Sequence, residues 1–94
     1  MKNLGARGDH VAVEFELPAV VGARRAAIAG EFTAWHTVEM NPRPDGSFVL
    51  TVDLPAGNAY RFRYLVDEMV WENDWAADDY LPNPFGGEDS VVIV

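Results

Sequence analysis

Two tryptophans, Trp35 and Trp71, stand where an indole ring could meet a ligand. Trp35 ends a short turn that follows an apolar run, and Trp71 lies in a short strand-like segment. An indole held beside a sheet offers a flat apolar face and one N–H donor. This shape suits a ligand with a flat apolar face and a rim of hydroxyl groups, as a glucose unit has. The alternative for Trp35 is packing against Met40 or Pro42, and the alternative for Trp71 is burial within its strand.

Two arginines, Arg61 and Arg63, are two residues apart in one predicted strand and therefore lie on the same face of it. The guanidinium group is a fixed fork of N–H donors that matches neighbouring hydroxyl groups, and we favour Arg63 for this role. The alternative is a solvated arginine paired with Glu14 or Asp53, a surface ion pair that contributes little to stability.

The other ionisable side chains indicate neither catalysis nor a metal. His10 and His36 are isolated, and no Ser/His/Asp arrangement is visible. Glycoside hydrolysis needs two carboxyl groups about 5 to 10 Å apart in a cleft, and no such pair is singled out. An acidic loop offers oxygen atoms that calcium prefers, without the spacing of an EF-hand, so a solvated loop is the simpler interpretation. Its acidic residues are Glu72, Asp74, Asp78 and Asp79. We predict no catalytic residue, no metal and no cofactor.

Length and charge narrow the class of protein further. The 94 residues suffice for one domain, which we place at residues 10–94 after a flexible lead-in of residues 1–9. The net charge of −8 argues against nucleic acid and against an anionic membrane surface as partners. The chain has no cysteine and residues 1–10 lack the apolar segment of a signal peptide, so we expect a cytoplasmic protein.

Period-two alternation of apolar residues predicts β-strands along most of the chain. No helical period is present, and turns rich in Pro and Gly separate the segments. The pattern predicts an all-β, immunoglobulin-like antiparallel β-sandwich with six to seven strands, in which residues 72–84 form a loop. The predicted strands are residues 10–17, 24–30, 47–54, 59–67, 69–71 and 90–94, with a short irregular segment at residues 36–41.

Three phrases occur in a fixed order along the chain: AGEFTAW at residues 29–35, YRFRYLVD at residues 60–67 with Trp71 after it, and NPFGGEDSVV at residues 83–92. Together they resemble the isoamylase N-terminal-like early set domains, which are the family 48 carbohydrate-binding modules. This family includes the glycogen-binding domain of the AMP-activated protein kinase β subunit and the modules that precede the barrel of glycogen branching and debranching enzymes.

The resemblance implies an immunoglobulin-like sandwich that binds α-1,4-glucans. Carried over by position, it implies that Trp35 and Trp71 stack on sugar rings and that Arg63 is the basic residue between them. Asp89 falls where the kinase module has an asparagine. Two features differ from the family pattern: Asp89 accepts but cannot donate hydrogen bonds when ionised, and the turn before Trp71 is longer.

We therefore predict non-catalytic binding of glycogen-like or starch-like α-1,4-glucan at Trp35, Arg63, Trp71 and Asp89. Two alternatives remain open. One is a protein–protein interaction module whose exposed aromatic residues form an interface. The other is a separately encoded accessory module of an enzyme of the α-amylase superfamily.

Overall fold

The computed structural model describes residues 1–94 as ten β-strands and two single-turn 3₁₀-helices, without an α-helix. The helices are Ala19–Val21 and Glu31–Thr33. Neither helix has the length or apolar character that crossing a membrane would require. The strands are β1 (Lys2–Arg7), β2 (His10–Leu17), β3 (Ala26–Gly30), β4 (Val38–Glu39), β5 (Asn41–Pro42), β6 (Phe48–Pro55), β7 (Ala59–Val66), β8 (Val70–Glu72), β9 (Asp79–Pro82) and β10 (Glu88–Ile93).

The strands form two antiparallel sheets. One sheet has four strands in the order β1-β2-β6-β5. The other has six, in the order β4-β3-β7-β10-β9, with β8 paired to β7 beside this path. The predicted all-β antiparallel sandwich is confirmed. The strand number exceeds the predicted six to seven because β4 and β5 have two residues each and β1 and β9 lack apolar alternation.

The core lies between the sheets and follows the period-two pattern of the sequence. In β2 every second side chain is buried from Val11 to Leu17, and in β7 Phe62, Tyr64 and Val66 are buried. The ring centroids of Phe15 and Phe62 lie 4.9 Å apart, so aromatic side chains of the two sheets contact each other directly. Met40 is also buried, as predicted; the cluster is Val11, Val13, Phe15, Leu17, Ala26, Ile28, Met40, Phe48, Leu54, Phe62, Tyr64, Val66 and Val92.

The N-terminal residues differ from the expected flexible lead-in. Lys2 to Arg7 form β1, which pairs antiparallel with β2 from Lys2 opposite Glu14 to Arg7 opposite His10. All six residues of β1 are exposed, so no apolar alternation marked the strand. Main-chain hydrogen bonds to the edge of β2 hold it instead, and such bonds leave no trace in side-chain polarity.

The predicted loop at residues 72–84 also contains a strand. β9 pairs with β10, with Tyr80 opposite Ser90 and Pro82 opposite Glu88. Because β9 is an edge strand, it tolerates a proline and mostly exposed side chains, which is why its composition resembles that of a loop.

Candidate functional site

The outer face of the six-stranded sheet is the surface on which the predicted site residues meet. Side chains alternate across β7, so Arg61, Arg63 and Leu65 face away from the core. Arg63 lies opposite Ala29 of β3, and Leu65 lies opposite Trp71 of β8. The register thus brings the end of β3, where the Trp35 turn begins, and the strand of Trp71 to the same face.

Arg63 occupies a junction in the strand pairing of β7. On one side, β7 pairs with β10 as far as Phe62 opposite Ser90, and with β8 from Tyr64 opposite Glu72 onward. Arg63 stands between these two partners, where neither strand continues. A long side chain at this gap can reach the surface between β8 and β10.

The turn that carries Trp35 is fixed by main-chain geometry. The Trp35 N–H donates to Gly30 O at 2.8 Å, and Ala34 and Trp35 adopt left-handed φ angles of 51° and 61°. Gly30 has extended φ but no room for a side chain, because a Cβ atom would lie 2.6 Å from Arg61 O. The turn therefore packs closely against β7. The Trp35 residue at the end of the turn is 45% exposed.

Phe32 anchors the same turn from below, as predicted. Its ring stacks on Phe15 with centroids 5.3 Å apart. With Phe32 held by the core and Trp35 partly exposed, the turn presents one aromatic ring to each side.

Trp71 lies on β8 directly after a tight hairpin turn. Asp67 and Glu68 have left-handed φ angles of 52° and 61°, as in the turns that match the twist of paired strands. The Trp71 residue is 42% exposed, and Arg63 Cζ lies 5.9 Å from its ring centroid, within the range of a cation–π contact. Both indoles are therefore partly exposed, rather than packed in the core.

Asp89 lies on β10 beside these residues but is only 7% exposed. Its Oδ2 atom accepts a hydrogen bond from Arg61 Nη1 at 3.4 Å, and its Oδ1 atom accepts one from Asn83 Nδ2 at 3.2 Å. Arg61 Nη1 also donates to Pro82 O at 3.1 Å. The suggested pairing of the arginines with Glu14 or Asp53 is wrong, because Arg61 pairs with Asp89, and Glu14 is instead bound by Arg43.

The loop between β9 and β10 supplies residues that the sequence analysis missed. Asn83 Oδ1 accepts hydrogen bonds from the N–H groups of Phe85 and Gly87, which closes the loop on itself. Phe85 is 91% exposed, the largest apolar side chain so open to solvent. An aromatic residue in a Pro/Gly-rich turn was the available signal, but spacing alone did not connect it to Trp35.

These elements enclose one groove of ≈ 760 Å³, a volume within the range of about 300–1,000 Å³ found for small-ligand sites. All four predicted site residues line it. Their arrangement combines aromatic faces, guanidinium donors and a carboxylate acceptor. The lining residues are Trp35, Arg61, Arg63, Trp71, Pro82, Asn83, Pro84, Phe85 and Asp89.

A buried polar network fixes the segment that follows β8. The Tyr64 hydroxyl donates to Asp74 Oδ2 at 2.6 Å, and the Asp74 N–H donates to Ser90 Oγ at 2.8 Å. Burial, followed by the charge of the Asp74 carboxylate, raises the pKa of Tyr64 well above its usual range. Asp74 therefore points into the protein rather than into a solvated acidic loop, and no group of three acidic or histidine side chains converges on a metal position.

A small β-sandwich with an aromatic-lined groove on one sheet face has the features of a ligand-binding module. A family model describes such a module. The model for the glycogen recognition site of AMP-activated protein kinase matches residues 11–85, and the chain belongs to this family of carbohydrate-binding modules. Membership implies a non-catalytic domain. No curated protein matches the chain.

Proposed function

We propose that the protein binds α-1,4-glucan chains by stacking glucose units on Trp35 and Trp71. The observation that carries this proposal is that two partly exposed indoles line one groove together with hydrogen-bonding side chains. Family membership supports glycogen as the kind of ligand.

Each part of the groove has a role in the proposal. The indole faces cover the apolar faces of glucose rings, and their exposure in the free protein means that apolar area remains to be buried. Arg63 donates hydrogen bonds to hydroxyl groups, since its side chain forms no ion pair and its Nε–H has no hydrogen-bond partner within the protein. Asp89 accepts from a hydroxyl group, although Arg61 and Asn83 already occupy part of its capacity.

A groove of this kind binds with moderate affinity. Two stacking faces and a few solvent-accessible hydrogen bonds predict a Kd of about 10 μM to 1 mM, or roughly −4 to −7 kcal/mol. We place such a module in the cytoplasm, where a glycogen-like polymer would be its ligand. Two alternative roles stay predictions: an accessory module of an α-amylase-superfamily enzyme and a protein–protein interaction module.

The direct test is a titration of the protein with maltoheptaose, followed by amide NMR. We expect chemical-shift changes concentrated at the groove, together with quenching or enhancement of tryptophan fluorescence. Cellobiose serves as the control, because its β-linkage places successive rings differently. No shift change at millimolar maltoheptaose would reject glucan binding, and gel filtration with candidate partners would then test the interaction alternative.

A further inference from the structure

Arg63 is the one cationic side chain of the protein that is both partly buried and without a carboxylate partner. Arg25, Arg43 and Arg61 each form an ion pair. The remaining unpaired cations, Lys2, Arg7 and Arg24, are exposed to solvent. Arg63 is half-buried, pairs with no acidic side chain and has a buried Nε–H without a hydrogen-bond partner. In a chain with 15 acidic residues, a guanidinium group with a buried, unpartnered Nε–H and no counter-charge is unusual.

The charge of the groove has the opposite sign to that of the whole protein. The groove contains two guanidinium groups, Arg61 and Arg63, and one carboxylate, Asp89, so its formal charge is +1, whereas the chain carries −8. Asp89 interacts with Arg61 and not with Arg63. The positive charge that is not neutralised is therefore centred on Arg63.

The surroundings of Arg63 hold the guanidinium group without consuming its donors. The indole of Trp71 attracts the cation at 5.9 Å, an interaction that uses the ring face rather than an acceptor atom. A guanidinium group with free N–H groups matches the oxygen atoms of a phosphate group, to which arginine binds in a bidentate manner.

From this geometry we infer that the groove prefers a glucan that carries a phosphate monoester, with Arg63 binding the phosphate and the indoles binding the glucose rings. The inference rests on the proposed function and adds an anionic substituent to its ligand. A neutral glucan offers Arg63 only hydroxyl oxygens, whereas a phosphate ester supplies the missing counter-charge.

The test compares maltoheptaose carrying one phosphate monoester with the same sample after phosphatase treatment, both titrated by calorimetry. The wild-type protein should bind the ester about tenfold to hundredfold more tightly, the usual effect of a charge-assisted bidentate contact. Arg63→Gln should bind both samples equally, and Arg63→Lys should retain part of the preference because the charge stays while the fork is lost. Arg24→Gln, which removes an exposed arginine away from the groove, should behave as the wild type does.

The possible failures are distinguishable. Equal wild-type affinity for both samples overturns the phosphate inference and leaves glucan binding intact. Absence of binding to either sample overturns both proposals. A preference that survives in Arg63→Gln overturns the assignment to Arg63. Inorganic phosphate alone should bind far more weakly than the ester, and equal affinity would show a free-phosphate site instead.

Discussion

Truncating either indole should weaken glucan binding by an amount that follows from its exposure. About 45% of Trp35 remains exposed, which for a side chain of about 250 Å² leaves about 110 Å² available. If a glucose ring covers half to all of this area, at about 25 cal/mol per Å², the contact contributes about 1.4 to 2.8 kcal/mol. Trp35→Ala should therefore raise the Kd about tenfold to hundredfold, and Trp71→Ala, with 42% exposure, by a similar factor.

Affinity electrophoresis in gels with and without glycogen measures this effect, and calorimetry with maltoheptaose quantifies it. Trp75→Ala is the matched control, because Trp75 is 63% exposed and does not line the groove. Circular dichroism verifies folding. If Trp35→Ala folds poorly, Trp35→Phe takes its place; this variant keeps a smaller aromatic ring and should retain part of the affinity. Equal glycogen retardation of wild type, Trp35→Ala and Trp71→Ala would refute the stacking argument.

Three further predictions concern the framework of the groove. Gly30→Ala should lower the free energy of unfolding by about 1–3 kcal/mol, because its Cβ would lie 2.6 Å from a main-chain oxygen of β7; an unchanged urea midpoint contradicts this. Asp74→Ala should cost about 1–3 kcal/mol by leaving the buried Tyr64 hydroxyl without its acceptor, and urea unfolding of this variant beside Tyr64→Phe checks it. Hydrogen bonds from two main-chain N–H groups lower the pKa of Asp67, so its contribution to stability is present above the unfolded-state pKa of about 3.9 and is lost as pH falls through the lower folded value. Asp67→Asn should therefore show a smaller drop in Tm between about pH 6 and about pH 2 than the wild type, and equal drops would count against this linkage.

The extent to which sequence predicted the fold depended on side-chain alternation. The buried face of β7 with Phe62 and Tyr64, and its outer face with Arg63, followed from period two alone. Strands β1 and β9 were not predicted, because both are edge strands held by main-chain pairing with β2 and β10, and this pairing does not depend on side-chain polarity. The same limit applied to Phe85, whose side chain reaches the groove only through the closure of a loop around Asn83.

For the site, the sequence by itself determined which residue types were available and on which face of a strand each would lie. That information is local, since it depends on the two-residue repeat and on turn residues such as those before Trp35 and Trp71. Tertiary structure alone decided that Arg61 pairs with Asp89 and that Arg63 has no counter-charge. Ion pairing depends on which strands become neighbours and on where β7 exchanges one partner for another, and both are settled by the packing of the whole chain.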